Sequence, residues 1–598
     1  MPWAVVLGAL GTLVHASDAP LWATDAALLG ADEAGAWTGQ VSRALAGLFR
    51  VLPLGSLTLR STLLGAVSSG LCAGLLWQLT VELMAQGKRR PRVDAWLSLA
   101  AALGAVFAVP WMSDATVAAG GAAPRVVPGL LLWVLLARPK RVSQGLFAQP
   151  LVLGALFGLS IGESPWVGLA VFLIGLLRNP FDTRRQTALF LAAAGAVTLA
   201  VFAPAALMAS LEDVYDLSPW PAAGAFPGLG PAAFLRDVGL LAGAGVLVFA
   251  LSGGASFGRV FAGGPIPGGG ARSLWLPSGV VLLLDVVVPA AAAGTSFGTV
   301  EGCPERSALH LMMLATVAPV GALGLRRLLD LALDLGVLAA GQGAALLTVL
   351  SLAVSSAGLE DAHRYLSQTD VSGARAWTSA ALDDLPPRAL VLSRTEPVGR
   401  RLRAAQLQGE RPDILVVRLD RLSRPRTLAH ALKAEPALEP LIVDLSLGQP
   451  PSERALSVLV DQRPVYVEPG PGWEPRLLQH VELALPLAAF SPYPLAHSDR
   501  LANLDQRKAR IERVLSATER GVRPDRATQS VLGESVQLLL SMLAEVGDES
   551  AGDAFITGAL REQADQKPAD RQHTPGKALG SVAPATAAGA RAERVAAR

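Results

Sequence analysis

The chain divides into two parts that differ in how apolar residues are distributed. Residues 1–357 contain long apolar runs separated by short charged or Pro/Gly-rich loops, whereas residues 358–598 have the mixed pattern of a soluble protein. Because about 20 apolar residues cross a bilayer as a helix, the first part predicts an α-helical polytopic membrane protein with about eleven spans. The predicted spans, several of them short, are 2–16, 59–85, 93–112, 124–137, 148–162, 165–178, 186–209, 236–252, 273–294, 306–325 and 336–357.

The charged loops predict the orientation of these helices. Clusters of Lys and Arg follow the second, fourth, sixth and tenth segments, and acidic residues lie in other loops. Basic loops stay on the cytoplasmic side, so the amino terminus is predicted inside and residues 358–598 outside the cell inner membrane. Joining 148–162 and 165–178 into one kinked helix would reverse every later loop and conflict with the basic clusters.

The first segment leaves two interpretations open. Val14-His15-Ala16 resembles the cleavage site of a signal peptide, but residues 1–16 lack the positive charge that such a signal carries at its start. This lack favours a short first membrane helix.

The second part predicts a small extracytoplasmic α/β domain, because short apolar strands alternate with helices, as in parallel sheets. The predicted strands are 388–393, 413–418, 440–445 and 464–468, and the helices between them are 397–408, 426–434 and 452–460. No Gly-rich loop joins a strand to a helix, so we expect no nucleotide to bind there. The predicted domains are 1–357 (transmembrane), 358–497 (α/β), 498–565 (helical) and 566–598 (disordered tail).

Composition narrows the function classes. Charged residues make up 17% of the 598 residues, the mean hydropathy is +0.42, and the net charge is +2, so no strong field favours nucleic acid. Cys72 lies in an apolar segment and Cys303 in a loop, which excludes a thiolate metal site. The histidines are scattered and no phosphate-cradling loop is present, so neither a metal nor a cofactor is predicted.

Five short motifs occur in the order found in a known family. They are residues 52–60 (LPLGSLTLR), 110–118 (PWMSDATVA), 157–164 (FGLSIGES), 385–392 (LPPRALVL) and 409–413 (GERPD). On these motifs the chain resembles bacterial multi-pass proteins related to protein O-mannosyltransferases, which have the GT-C glycosyltransferase fold. The resemblance implies transfer of a sugar from a polyprenyl-phosphate donor to a protein or glycan acceptor outside the membrane, with membrane lipid as a further partner.

The resemblance also implies roles for particular residues. Asp18 lies twelve residues before Gly30, as in the family, and is the candidate general base. Arg60 matches the family's arginine and is the candidate phosphate ligand. Arg125, without motif support, is a second cation, and Glu163 is a further candidate for substrate binding. Three of these residues have a plainer interpretation: a solvated loop carboxylate for Asp18 or Glu163, and an interfacial anchor for Arg60.

The sequence also departs from the family. Acidic and polar family positions fall on Leu21, Ala119 and Ser164, among others, which leaves a different substrate or lost catalysis as interpretations. The alternative function is a non-enzymatic envelope protein that presents its soluble domain to a partner. A transporter ranks third, because among ionisable residues inside the apolar segments only Asp285 stands out and a transporter would need paired charges.

Overall fold

The structure is a computed structural model that describes residues 1–15, 39–84, 91–116, 121–137, 148–178, 183–208, 304–336, 372–383 and most of 385–496, with isolated positions between 337 and 371. The predicted spans 236–252 and 273–294, the region 498–598, Asp18 and Asp285 lie outside the described residues, as does most of 336–357.

Ten helices are described in the first part of the chain. They are α1 (Pro2–Val14), α2 (Gln40–Arg50), α3 (Leu57–Met84), α4 (Pro91–Val106), α5 (Val109–Ala115), α6 (Ala123–Ala137), α7 (Ala148–Glu163), α8 (Pro165–Arg178), α9 (Arg184–Met208) and α10 (Pro304–Asp334). The prediction of one helix over 93–112 is wrong: the helix is interrupted at Phe107-Ala108, since Pro110 cannot continue the hydrogen bonding of α4. Helix α2, which has an αL glycine before it, was not predicted.

The segments 148–162 and 165–178 form two separate helices. They are separated at Ser164, and Pro165 begins α8. A Cβ atom built on Gly129 of α6 would lie 2.6 Å from Val167 of α8 and 3.1 Å from the Ser160 hydroxyl of α7. Both helices therefore pack against the same side of α6, as expected of a helix pair that turns back on itself.

Small residues let neighbouring helices approach closely. Gly154, Gly158 and Gly162 recur every four residues along α7 and face α9, where a Cβ on Gly158 would lie 2.4 Å from the Ala194 carbonyl oxygen. Gly70 of α3 contacts Ala9 of α1 in the same way. Small-residue interfaces of this kind are typical of membrane helices, whose packing depends on close backbone approach.

The outward surfaces of these helices are apolar. Trp3 and Val14 of α1 are 74% and 77% exposed, and Leu199 of α9 is 71% exposed. Among the described residues, three helical stretches are long and apolar enough to cross a membrane: Leu59–Met84, Arg184–Ala203 and Ala308–Arg326. Water is a poor solvent for such surfaces, which supports insertion in a bilayer.

A buried ion pair joins α4 to α10. Arg326 Nε lies 2.7 Å from Asp94 Oδ1, and its Nη1 lies 2.6 Å from Asp330 Oδ1. Asp94 is four residues past the basic cluster 88–90, and Arg326 belongs to the cluster 326–327. The contact joins the start of α4 to the part of α10 that follows the predicted span 306–325, and the charge pattern assigns both to the cytoplasmic side.

The second part contains a five-stranded mixed sheet in the order β2-β1-β3-β5-β4. Its strands are β1 (Leu390–Ser393), β2 (Leu415–Arg418), β3 (Val465–Val467), β4 (Val481–Leu483) and β5 (Ala488–Phe490). Strands β1, β2 and β3 are parallel and match three predicted strands, whereas β5 is antiparallel to both β3 and β4. The sequence did not predict the two antiparallel strands.

Helices cover both faces of the sheet. They are α11 (Ser372–Leu382), α12 (Glu396–Leu407), α13 (Pro425–Ala434), α14 (Glu439–Ser446) and α15 (Glu453–Gln462). The predicted strand 440–445 is wrong, because this segment is α14. The cores on the two faces are separate: Val391 and Val416 pack with α11 and α12, while Leu390 and Val465 pack with the helices that follow β2.

Candidate functional site

The three sequence-predicted site residues that the structure describes all contact α2 or the residues that flank it. Arg125 and Glu163 meet its amino-terminal end, and Arg60 meets its carboxyl-terminal end. Asp18 lies outside the described residues. The geometry of the site is therefore the geometry of this helix and its two ends.

At the amino-terminal end, the carboxylate of Glu163 caps α2. Its Oε1 accepts a hydrogen bond from the Val41 amide at 2.8 Å, and its Oε2 accepts one from the Ser42 amide at 3.2 Å and another from the Ser42 hydroxyl. The first amides of a helix have no partner within the helix, and its dipole favours a negative charge there. Glu163 is 1% exposed, so these bonds compensate the desolvation of its carboxylate.

Gly39 joins the same end to two other helices. Its amide donates to the Gly162 carbonyl of α7 at 3.1 Å, and its φ of +73° lies in the region that glycine favours. A Cβ atom at this position would lie 2.7 Å from both Cζ and Nη2 of Arg125. The Arg125 guanidinium, from a residue only 2% exposed, thus packs directly on the backbone where α2 begins.

At the carboxyl-terminal end, Arg60 binds backbone carbonyls. Its Nη1 donates to the Arg50 carbonyl at 2.7 Å and to the Leu52 carbonyl at 3.1 Å, and its Nε donates to the Ser56 carbonyl at 3.4 Å. The last carbonyls of a helix lack partners within the helix, and a cation there also interacts favourably with the dipole. Within the described part of the chain, Nη2 of Arg60 makes no hydrogen bond and stays available to a ligand.

The motif at residues 52–60 thus forms a closed turn. Gly55 has a φ of +51°, and the Ser56 hydroxyl accepts a hydrogen bond from the Leu59 amide at 3.1 Å, which caps the start of α3. Arg60 then reaches back over the turn to α2. The spacing of the Leu-Pro-Leu-Gly-Ser-x-x-x-Arg motif agrees with these contacts, since Arg60, one turn inside α3, bonds carbonyls on both sides of Gly55.

The two ends of α2 are too far apart to form one phosphate site. An 11-residue helix spans about 16 Å at 1.5 Å per residue. Arg125 and Glu163 therefore share one locality, and Arg60 belongs to another.

Two other motif residues are held in the bundle. The indole Nε1 of Trp111 donates to the Ser69 hydroxyl at 3.1 Å in a buried contact, and Asp114 Oδ2 accepts from the Ala122 amide at 2.6 Å. In the part of the chain that the structure describes, no group of three His, Cys, Asp or Glu side chains is arranged to hold a metal ion. Sequence reasoning missed Gly39 and Ser42, although a glycine before an amphipathic stretch is a signal for a helix start.

No protein-family model and no curated protein matches the chain. Among solved structures, a crystal structure of ArnT from Cupriavidus metallidurans bound to undecaprenyl phosphate is similar at a TM-score of 0.50, with 12% sequence identity over 81% of this chain and 97% of that one. The chain has the GT-C fold. The apo structure of ArnT from the same organism matches at a TM-score of 0.44, with 12% identity over 82% of this chain and 97% of that chain. The GT-C fold that the motifs implied is thus supported, whereas likeness to O-mannosyltransferases in particular stays a prediction.

Proposed function

We propose that this protein is a membrane-embedded glycosyltransferase of the GT-C type, which transfers a sugar from a polyprenyl-phosphate donor to an acceptor outside the cytoplasmic membrane. The observation that carries the proposal is the fold, which this chain shares with an ArnT structure bound to undecaprenyl phosphate. The apolar outer surfaces and small-residue helix contacts agree with a protein that works in a bilayer.

The packing of α1 supports a site near the start of α3. A Cβ on Gly74 of α3 would lie 2.5 Å from Val5, and one on Gly70 would lie 2.9 Å from Ala9. Helix α1 therefore runs antiparallel to α3, and its carboxyl end points toward the end of α3 that carries Arg60. Asp18 follows His15, the residue directly after α1, by only three positions. This arrangement favours Asp18 and Arg60 acting together.

We assign Asp18 the role of general base and Arg60 the role of phosphate ligand. The carboxylate of Asp18 accepts the proton of the acceptor hydroxyl as that oxygen bonds to the anomeric carbon of the sugar. The bond from the anomeric carbon to the phosphate oxygen breaks, and polyprenyl phosphate leaves with the electron pair. Arg60 stabilises the phosphate through its remaining N–H groups, because a charge-assisted contact strengthens as negative charge develops on the leaving oxygen.

The test uses the purified full chain in lipid nanodiscs with an undecaprenyl-phosphate sugar and a candidate acceptor. Asp18→Asn keeps the size of the side chain and removes its basicity, so we expect turnover to fall by about 10²- to 10⁴-fold while donor binding is unchanged. Arg60→Ala should instead weaken donor binding. Glu410→Gln, which changes an exposed carboxylate, is the matched control.

Two outcomes would contradict the proposal. Full activity of Asp18→Asn would eliminate it as the base. Donor binding without transfer by the parent protein, across a panel of acceptors, would instead favour the non-enzymatic envelope protein.

A further inference from the structure

The two ends of α2 are held by side chains from different helices. Glu163, the last residue of α7, bonds the Val41 and Ser42 amides and the Ser42 hydroxyl at one end. Arg60, in the first turn of α3, bonds the Arg50 and Leu52 carbonyls at the other. The negative carboxylate of Glu163 lies at the positive end of the helix dipole, and the positive guanidinium of Arg60 lies at the negative end. Both contacts are therefore electrostatically favourable.

The side of α2 between these ends has a small apolar contact. Ala46 is fully buried and packs with Leu64 of α3, with Phe49 partly buried beside them. The opposite side is open, since Leu45 and Leu48 are 42% and 65% exposed. This small contact area alone is a weak basis for the position of an 11-residue helix, since isolated helices of this length are marginally stable in water. The two charged contacts therefore help to hold α2 in place.

Helix α2 connects the segment that carries Asp18 to the turn before Arg60. It begins at the end of the segment 16–38, which carries Asp18, and it ends at the turn that leads to Arg60. The residue directly before it, Gly39, also forms the surface on which the Arg125 guanidinium packs. A displacement of α2 would move the groups at both of its ends.

We infer that α2 is clamped at both ends, and that Glu163 is a positioning residue of the transferase rather than a ligand of its substrate. Both carboxylate oxygens of Glu163 already accept hydrogen bonds from α2, and the residue is only 1% exposed. This assigns Glu163 a role that differs from the substrate binding expected from the sequence. Its kinetic consequence rests on the proposed function, but the clamp itself does not.

The clamp is tested by labelling a single cysteine in the full chain. Ala46→Cys, in a background with Cys72→Ala and Cys303→Ala, places a thiol at a position that is 0% exposed while α2 is docked. We expect Glu163→Ala and Arg60→Ala each to raise the rate of maleimide labelling by about ten- to hundredfold, because the loss of a charge-assisted hydrogen bond favours local opening. Arg60→Lys should also raise the rate, because an ammonium cannot reproduce the fork that bonds two carbonyls.

Ser164→Ala is the matched control. Ser164 adjoins Glu163 and is fully buried, and its hydroxyl has no hydrogen-bond partner among the described residues. The substitution therefore perturbs the same turn without touching the clamp, and labelling should not change. Thermal unfolding of each variant checks that the chain stays folded. Unchanged labelling in Glu163→Ala overturns the clamp whatever the activity of the protein.

Steady-state kinetics of Glu163 variants distinguish a positioning role of this residue from a role in substrate binding. For Glu163→Gln we expect kcat to fall about tenfold or more while the KM for the donor changes less than about twofold. Displacement of the groups at the ends of α2 lowers the rate of the chemical step, although Glu163 itself does not contact the substrate. Glu163→Asp should recover part of kcat, since a carboxylate is kept. A large rise in donor KM with unchanged kcat would show that Glu163 binds substrate. Absence of any transfer in the parent protein would affect the proposed function alone, since labelling needs no activity.

Discussion

At the scale of single residues, side-chain contacts explain why the motifs at residues 385–392 and 409–413 contain the residues they do. Arg411, in the motif 409–413, donates to the carbonyls of Leu382, Leu385 and Pro386, which lie just before β1. It is also paired with Asp413, whose Oδ2 accepts from the Arg388 amide at 3.1 Å. The two motifs are therefore the two halves of one junction between the starts of β1 and β2.

The pKa of Asp413 gives a test of this junction. The hydrogen bond from Arg411, together with that from the Arg388 amide, holds this pKa well below its usual range. Because the folded-state pKa is depressed, the stabilisation is fully present above the unfolded pKa of about 3.9 and is lost as the pH falls below it. We expect Asp413→Asn to lower the melting temperature at pH 7. We also expect it to remove part of the decrease in melting temperature that the parent protein shows as the pH falls to 3.

Thermal unfolding of the full chain between pH 7 and pH 3 checks this prediction. Glu410→Gln, an exposed carboxylate in the same loop, should leave the pH profile unchanged. Parallel profiles for the parent and Asp413→Asn would show that the pair contributes nothing to acid stability.

Gly39 gives a second prediction at this scale. Its positive φ and its contact with the Arg125 guanidinium both disfavour a side chain. Gly39→Ala should therefore destabilise the start of α2 and raise the rate of maleimide labelling in the Ala46→Cys background by about tenfold. Gly47→Ala, at a position of the same helix where a Cβ meets nothing within 4 Å in the described part of the chain, should not raise it. Equal labelling in the two variants would contradict the tight contact at Gly39.

At the scale of elements, α14 shows why one prediction failed. The run Pro440-Leu441-Ile442-Val443-Asp444-Leu445 is short and apolar, and such a run does not distinguish a strand from a buried helix by periodicity alone. In the structure Leu438 and Leu441 are buried, whereas Val443 and Leu447 are 49% and 67% exposed, as on a helix with one buried face. Pro440 fits this outcome, because proline is tolerated in the first turn of a helix.

The helix pair α7–α9 gives a prediction at this scale. A Cβ at Gly158 would lie 2.4 Å from a backbone carbonyl oxygen of α9, which cannot move without shifting the helix. Gly158→Ala should therefore destabilise the protein by about 1–3 kcal/mol through overpacking. Gly195→Ala, where a Cβ meets no described atom within 4 Å, is the control and should be neutral or slightly stabilising. Equal melting temperatures for the two variants in detergent would contradict the close packing.

At the scale of the whole molecule, the contacts agree with the pairing of helix ends that the charges predict. Gly39, Arg125 and Glu163 meet, and all three lie at or beside helix ends that are predicted to face the outside of the membrane. Asp94 and Arg326 also meet, and each lies at or beside the end of a predicted span on the side that is predicted to be inside. The orientation of the whole bundle stays a prediction, as does the placement of the α/β domain outside.

Labelling of single cysteines in cells tests this orientation. The exposed positions Ala44 and Ser446 should react with a membrane-impermeant maleimide in intact cells with a permeabilised outer envelope, whereas the exposed Arg92 should react only after lysis. The reverse pattern would invert the orientation and place the proposed site on the wrong face. Each cysteine is introduced by substitution in a background without Cys72 and Cys303.

The sequence by itself determined the approximate positions of most described helices in the first part and three of the five strands, and the division into two parts stays its prediction. These follow from local patterns, since a run of apolar residues or a proline acts over a few positions. The five motifs also drew attention to residues 52–60 and 409–413, although only the structure showed the turn at 52–60. Only the tertiary structure decided which charged groups meet. Glu163 and Val41 are separated by 122 positions along the chain, and Asp94 and Arg326 by 232. Nothing in the residues near Glu163 distinguishes a substrate ligand from a helix cap, because that difference depends on which backbone amides the folded chain brings to its carboxylate.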